Sequence, residues 1–152
     1  MTDVIIRVAT VEDTEAVATL IHGLLTELWQ GKGPTLESML PTTRMVLADK
    51  AVMAALALVD GKPVGVVTIN ECTAVYAGGK FGEICELYVL AEMRSKGVAP
   101  HLVKYAEQVS RDKGWKRLEV CAPPQPAWSR SVDFYEKNGF RKLGPRLCMD
   151  IK

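Results

Sequence analysis

Two neighbouring segments decide the fold of this chain: Glu83-Ile84-Cys85-Glu86-Leu87-Tyr88-Val89 and, after four further residues, Arg94-Ser95-Lys96-Gly97-Val98-Ala99. The first segment combines β-branched, aromatic and aliphatic residues, which is typical of a strand. After the second segment, apolar residues recur at helical spacing, at Leu102, Tyr105, Ala106 and Val109. A glycine then follows at Gly114, so the sequence predicts a strand, a loop and a helix that ends there.

The loop between this strand and helix has the composition of an anion site. Small residues let successive backbone amides converge on an anion, the helix adds its positive N-terminal end, and Arg94 and Lys96 add formal charge. The loop lacks the Gly-Lys-Ser/Thr ending of a nucleoside triphosphate loop and the three glycines of a dinucleotide fingerprint. It therefore indicates another phosphate-bearing ligand, although an ordinary turn with solvated basic residues is the alternative for these six residues alone.

The elements on either side of this unit predict a mixed sheet of the α/β class. Residues 118–121 supply the next strand, and a strand–helix–strand order implies a parallel pair joined by a right-handed crossover. Upstream, residues 51–58 and 64–69 are apolar runs on either side of Asp60-Gly61, which is suited to a tight turn. These two runs are expected to pair antiparallel.

The N-terminal part predicts a strand at residues 5–8 and then a helix. Thr10 and Asp13 have the spacing of a capping box, and the helix should end near Gly31 and Gly33. Its buried stripe is formed by Val17, Leu20, Ile21, Leu24 and Leu28. Residues 34–49 predict a second helical stretch, interrupted around Pro41 because proline lacks an amide hydrogen and clashes with the preceding turn.

The C-terminal part is expected to begin with a proline-rich segment, residues 122–128, which cannot continue a regular element. Ser129 can cap a short helix that stops at Asn138-Gly139. Residues 140–143 and 147–151 are predicted as a last pair of strands, broken by Gly144-Pro145.

Composition favours one folded domain over residues 1–152, with 48% hydrophobic and 24% charged residues. A net charge of +1 gives no basic footprint for nucleic acid and no charged face for a membrane, so neither partner is expected. No segment has the pattern of a signal peptide or a membrane span, and we expect a cytoplasmic location. Oligomeric state is left open, with a homodimer as one option.

The cysteines and histidines predict no metal site. Cys72, Cys85, Cys121 and Cys148 are too far apart for a close-pair zinc or redox motif and are expected to be free, mostly buried thiols. His22 and His101 both lie in helical patterns, which gives little support for a histidine triad or a metal centre.

The chain resembles the GNAT superfamily of N-acetyltransferases, whose coenzyme A loop reads Gln/Arg-x-x-Gly-x-Gly/Ala after the fourth strand. Arg94, Gly97 and Ala99 fit this pattern, and residues 87–89 fit the strand before it. Phe134-Tyr135-Glu136-Lys137-Asn138-Gly139-Phe140 is similar to the last-helix motif of the family. The resemblance implies a mixed, mostly antiparallel central sheet with a splayed parallel strand pair, helices on both faces, and acetyl-CoA as cosubstrate without a metal.

The resemblance also implies where acetyl-CoA binds. Its pyrophosphate would contact the loop Arg94, Ser95, Lys96, Gly97, Val98 and Ala99, and its pantetheine arm and thioester would follow Leu87, Tyr88 and Val89. An amide in that strand could serve as the oxyanion donor, and Ser131 and Tyr135 would complete the cofactor site. The chain departs from the family pattern at Ala91, Ser131 and Trp128, and Pro100 opens the following helix.

Catalytic roles follow from the same comparison. Tyr135 matches the usual general acid, with helix packing as its alternative role. Glu83 and Glu86 are candidates for accepting the ammonium proton, with Glu83 favoured as base and Glu86 as a substrate-binding or second candidate. On a regular strand residues three apart face opposite sides, whereas a bulge would bring them nearer to one side. Trp29 and Tyr76 could line the acceptor pocket or be scattered aromatics.

The expected activity is transfer of the acetyl group to a primary amine, of a small molecule in view of the near-neutral charge, by direct attack in a ternary complex. Protein N-terminal or lysine acetylation is the alternative within the same chemistry. A non-catalytic acyl-CoA-binding module and an unrelated phosphate-binding domain are the alternatives from other classes.

Overall fold

A computed structural model of the protein describes residues 3–121 and 129–152. The chain forms two compact units, Met1–Val120 and Cys121–Lys152. The first unit contains β1 (Ile5–Val8), α1 (Thr14–Leu28), α2 (Leu36–Ala48), β2 (Val52–Val59), β3 (Lys62–Ala74), β4 (Gly79–Val89), α3 (Val98–Lys113) and β5 (Leu118–Val120). The second contains α4 (Ser129–Lys137). The single-domain organisation stays a prediction of the sequence.

The sheet of the first unit has the order β1-β2-β3-β4-β5. Its neighbours pair antiparallel except β4 and β5, which are parallel. Both residues of the turn between β2 and β3 have positive φ, 51° at Asp60 and 76° at Gly61, as a tight hairpin requires. The predicted mixed, mostly antiparallel sheet is confirmed, and β3 and β4 both extend several residues further than the apolar pattern indicated.

Helices cover both faces of this sheet. Leu56, Val66 and Tyr88 point to one face and pack with α1 and α2 residues in the main core cluster. The neighbouring residue Gly65 faces the other side, where a side chain would meet Leu102 at 3.2 Å, because successive strand residues alternate between faces. A glycine at this position therefore lets α3 lie close against β3.

The capping box predicted at Thr10 is present, but it caps a single 3₁₀ turn, Val11–Asp13, that leads directly into α1 at Thr14. The Thr10 side chain accepts from the Glu12 amide, and the Asp13 carboxylate accepts from the Thr10 amide at 2.9 Å, which forms the capping box. Val17, Leu20 and Ile21 of the predicted stripe are buried. The stripe therefore anchors α1 to the sheet.

The expected interruption at Pro41 is wrong, because α2 runs through it from Leu36 to Ala48. Proline removes only the bond that its amide would have made to Glu37. The Thr35 side chain caps the helix by accepting from the Ser38 amide at 3.2 Å. Met39 and Thr43, on either side of the proline, are buried, so packing outweighs the lost bond.

In the second unit, α4 ends just before Asn138 and Gly139, as predicted, with a positive φ of 98° at Gly139. Ser129 is the first residue of that helix. The expected final strands are wrong, because residues 140–152 have no regular secondary structure. Alternating apolar residues form a strand only when a partner backbone pairs with them, and Leu147, Met149 and Ile151 are largely exposed. The predictions for residues 122–128, including Trp128, lie outside the described residues.

No disulfide joins the four cysteines, all of which lie within the described residues, but the expectation that most of them are buried is wrong. Cys72 is half-buried, and Cys85, Cys121 and Cys148 are exposed. Cys85 lies at an irregularity in the pairing of β4 with β3. It therefore does not follow the regular alternation of side chains between buried and exposed faces, although its neighbour Ile84 is buried.

Candidate active site

The candidate site begins where the pairing between β4 and β5 ends. The two strands pair only from Gly82 to Ile84, opposite Leu118–Val120. Beyond Ile84, β4 continues to Val89 with β3 on one side and, within the described ranges, no strand on the other. An open strand edge of this kind offers backbone donors and acceptors to an extended ligand. The predicted splay of the parallel pair is thus present in the sheet.

A β-bulge places the two candidate carboxylates on the same face of β4. Ile84 pairs with Ile69 and Glu86 pairs with Thr68, so Cys85 is an extra residue on β4. Glu83 pairs with Asn70, two residues from Thr68 on the regular strand β3. Cross-strand partners share a face, and so Glu83 and Glu86 both face the side covered by α1 and α2.

Glu86 is anchored by a threonine that the sequence reasoning did not single out. Thr68 is 2% exposed, its hydroxyl donates to Glu86 Oε1, and its oxygen accepts from the Glu86 amide at 3.1 Å. A polar residue within the apolar run Val66-Val67-Thr68-Ile69 was the available signal, since a buried hydroxyl needs a partner. Glu86 is therefore fixed in orientation.

The Tyr76 side chain reaches the same face of the sheet, where it contacts β5. Its hydroxyl donates to Glu119 Oε2 at 2.7 Å, and Glu119 lies opposite Glu83 in the parallel pair. Arg117 Nε donates to the same Glu119 oxygen at 2.7 Å, and its guanidinium lies 5.2 Å from the centre of the Tyr76 ring. The Glu119 carboxylate raises the pKa of the Tyr76 phenol above its ordinary value.

Trp29 follows α1 directly, with 51% of its surface exposed and its ring against Gly33. The described contacts bring Tyr76 to the carboxylate face and place Trp29 at the end of a neighbouring helix. Both aromatics keep exposed surface that an acceptor could cover.

The predicted phosphate loop contains two residues in the left-handed conformation, which is a feature of anion-binding nests. A single 3₁₀ turn, Ala91–Met93, precedes it, and Ser95 and Gly97 have positive φ of 64° and 81°. Alternation of left-handed and ordinary conformations turns successive amides toward a common point. Gly97 is the N-cap of α3 and no side chain caps that helix, so its first amides are not occupied by a capping side chain.

Two residues near this loop differ from the sequence expectation. Pro100 is the third residue of α3, not the first, which leaves the Val98 and Ala99 amides ahead of it. His101 Nδ1 lies 2.7 Å from the Gly97 carbonyl oxygen, which can only accept, so Nδ1 carries the proton. This contact holds the glycine at the start of the helix.

The Arg94 side chain turns toward α1. Its Nη2 donates to both carboxylate oxygens of Glu27, at 2.9 and 2.8 Å, while Lys96 is exposed. Glu27 was missed from the sequence. Its signal was a carboxylate in the last turn of a helix, where the helix dipole disfavours negative charge.

Tyr135 lies in α4 of the second unit and packs between aromatic neighbours. Its ring centre is 5.4 Å from that of Phe134 and 5.5 Å from that of Phe140. Burial, with a smaller contribution from Cys121, raises the pKa of the Tyr135 phenol to about 12. The phenol therefore keeps its proton at neutral pH, and Ser131 lies one helical turn before it.

Within residues 3–121 and 129–152 there is no cluster of three His, Cys, Asp or Glu side chains able to hold a metal ion. No helix among these residues has both the length and the apolar character needed to cross a bilayer.

Comparisons with known proteins identify the family of this chain. The family described as Acetyltransferase (GNAT) matches residues 16–140. An aminoalkylphosphonate N-acetyltransferase from Salmonella typhimurium is 32% identical over 116 residues, which cover 76% of this chain and 71% of that protein.

Solved structures show the same fold. A ribosomal-protein-alanine N-acetyltransferase from Brucella melitensis biovar Abortus 2308 superposes with a TM-score of 0.77 at 22% identity, covering 98% of this chain and 100% of that one. An aminoglycoside N-acetyltransferase in complex with CoA superposes with a TM-score of 0.76 at 18% identity, covering 100% and 96%.

The chain belongs to the GNAT acetyltransferase family. It is an acyltransferase enzyme, an N-acetyltransferase, and the family implies acetyl-CoA as its cosubstrate.

Proposed function

We propose that this N-acetyltransferase moves the acetyl group of acetyl-CoA to a primary amine of a small molecule, by direct attack of the amine while both substrates are bound. The observation that carries the proposal is the bulge at Cys85, which puts Glu83 and Glu86 on one face of β4 beside the open strand edge. A proton acceptor and a thioester-holding backbone would then lie on the same strand.

The donor side is built from backbone groups. The nest at Ser95 and Gly97 and the uncapped start of α3 fit a pyrophosphate, because they offer converging amides and the positive end of a helix. The edge of β4 without a neighbouring strand among the described residues, at Leu87, Tyr88 and Val89, fits an extended pantetheine arm, and of its backbone groups the Val89 carbonyl already accepts from Arg94 Nε. Acetyl-CoA supplies the acyl thioester, and Ser131 is proposed as a further contact through its place in α4.

The chain's own residues would handle the protons. An amine attacks only when neutral, so Glu83 is proposed to take the ammonium proton, directly or through water, and Glu86 to orient the substrate. The nitrogen–carbon bond forms as the carbon–sulfur bond breaks and the thiolate leaves. The attacking nitrogen then loses its second proton to water, which leaves the neutral amide. Tyr135 is proposed as the donor to that sulfur because its motif matches and its phenol is protonated, which the pKa of about 12 supports.

A small acceptor is supported by the curated relative reported above, whose name specifies an aminoalkylphosphonate. The aminoglycoside enzyme of the same fold also acts on a small amine by its name. Tyr76 and Trp29 are proposed to contact the acceptor because both keep exposed aromatic surface. The cytoplasmic location and the homodimer stay predictions.

The test is a panel of acceptors with release of the free CoA thiol as readout. The panel includes aminoalkylphosphonates, diamines, aminoglycosides, and peptides with a free N-terminus or a lysine. We expect thiol release well above donor hydrolysis with at least one small amine. Turnover with peptides alone would show that the acceptor is a protein and not a small molecule. Binding of acetyl-CoA without any turnover would indicate a non-catalytic module.

A further inference from the structure

Three elements of the first unit meet at the Glu27 carboxylate. Glu27 is the second-last residue of α1, Arg94 begins the phosphate loop, and Tyr88 lies near the end of β4. The Tyr88 hydroxyl donates to Glu27 Oε2, the same oxygen that Arg94 Nη2 contacts at 2.8 Å. The Arg94 guanidinium lies 5.4 Å from the centre of the Tyr88 ring. The contact is thus a network and not a single ion pair.

The other end of the Arg94 guanidinium is tied to the strand. Arg94 Nε donates to the Val89 carbonyl oxygen at 3.1 Å, across the short turn that links β4 to the loop. One side chain therefore holds the last residue of β4 and the end of α1 at fixed distances from the first residue of the loop. The backbone that follows carries the positive φ angles of Ser95 and Gly97.

The surroundings are shaped for this network. A side chain on Gly23 of α1 would come within 3.0 Å of the Tyr88 hydroxyl, so a glycine there admits the phenol. Burial opposes ionisation of Glu27, yet the hydrogen bonds from Arg94 and Tyr88 keep the pKa of Glu27 below its ordinary value. The carboxylate is therefore charged at neutral pH and neutralises Arg94.

We propose that Glu27 is a positioning residue that fixes the pyrophosphate-binding loop through Arg94. Arg94 then contributes by holding the loop backbone in place, and the amides from Ser95 onward contact the pyrophosphate. This inference rests on the proposed function of the loop. Loss of Glu27 should weaken binding of donors that carry a pyrophosphate and leave other donors unaffected.

The experiment compares Glu27→Gln with the wild type on two donors, acetyl-CoA and S-acetylpantetheine, which lacks the pyrophosphate. The KM for acetyl-CoA should rise about tenfold with kcat little changed, the size expected from one charge-assisted hydrogen bond in a partly exposed pair. The KM for S-acetylpantetheine should not change. Glu15→Gln, at the exposed start of the same helix, removes the same charge and should match the wild type on both donors.

A rescue variant separates loop positioning from general damage to the fold. Exchange of the charges in Glu27→Arg with Arg94→Glu restores the ion pair but not the bonds to Val89 and Tyr88, so recovery of part of the affinity for acetyl-CoA would support the proposal. Equal losses on both donors in Glu27→Gln would overturn the proposal. A lower KM for acetyl-CoA in Glu27→Gln would also overturn it, by showing that Glu27 competes with the pyrophosphate for Arg94. Absence of turnover in the wild type would instead count against the proposed function.

Discussion

Glu83 and Glu86 share a face of β4 but have different neighbours. The Thr68 hydroxyl bonds both the side chain and the amide of Glu86, which suits an orienting role. Glu83 instead lies in register with Asn70 on β3 and with Glu119 on β5. We expect Glu83→Gln to lower kcat/KM about a hundredfold near pH 7 and to recover part of that loss at alkaline pH, where the amine is already neutral. The measurement is the pH–rate profile.

Glu86→Gln is the matched control for this prediction, because it makes the same chemical change on the same face of β4, on the other side of the bulge at Cys85. Its defect should be similar at all pH values, as expected for lost substrate orientation. Alkaline recovery in Glu86→Gln, together with a wild-type profile in Glu83→Gln, would show that the two roles are exchanged.

The phenol of Tyr135, with its pKa near 12, remains in the acid form throughout the working pH range. It is a weaker acid than a thiol, whose ordinary pKa is about 8.5, so we expect it to act mainly by donating a hydrogen bond to the leaving sulfur. Tyr135→Phe should lower kcat about tenfold to a hundredfold, by the same factor between pH 6 and 9. Full turnover under conditions where chemistry limits the rate would make Tyr135 a packing residue between Phe134 and Phe140.

At the scale of elements, the loop between β4 and α3 depends on a left-handed glycine. A side chain at Gly97 would meet nothing within 4 Å, so the structure requires glycine there because of the φ of 81°. Gly97→Asp adds negative charge where the pyrophosphate is expected, and it should abolish the rise in melting temperature that acetyl-CoA causes. Thermal unfolding with and without acetyl-CoA measures this.

Gly61→Asp is the control for backbone strain. Gly61 has a φ of 76°, also with nothing within 4 Å of an added side chain, but it lies in the hairpin between β2 and β3. Both variants should lose similar stability without ligand, on the order of 1 kcal/mol. Only Gly97→Asp should lose the response to acetyl-CoA, and an undiminished response would refute the loop assignment.

The elements differ in how far their sequence determines them. The loop at Gly97 and the hairpin at Asp60-Gly61 could be predicted because the backbone geometry there restricts the residue types. The bulge could not, since Glu83-Ile84-Cys85-Glu86 reads as a regular strand, and only pairing with Thr68 and Ile69 selects the register. Two predictions were wrong because tertiary contacts decide more than local pattern does. Packing carries α2 through Pro41, and without a partner strand in the described part of the chain, residues 140–152 form no strands.

At the scale of the whole molecule, membership of the family specifies acetyl transfer but not the acceptor. By their names, proteins of this fold act on an aminoalkylphosphonate, a ribosomal protein and an aminoglycoside. Function is set by the side chains at the site and not by the fold. In this chain the candidates for acceptor selection are Glu86, Tyr76 and Trp29. Motif spacing and composition could not predict how these side chains are arranged. Tyr76, for example, contacts Glu119 and Arg117, which are distant in sequence and come together only in the folded sheet.

The most direct test of direct acetyl transfer is mass spectrometry with acetyl-CoA labelled in the acetyl group. After reaction with the best small amine of the panel, the amine nitrogen should carry one labelled acetyl group for each CoA thiol released. The protein incubated with donor alone should keep its mass, because the amine attacks directly without an acetylated enzyme. Thiol release without a labelled amide, or a labelled protein that passes its acetyl group to the amine, would contradict this mechanism.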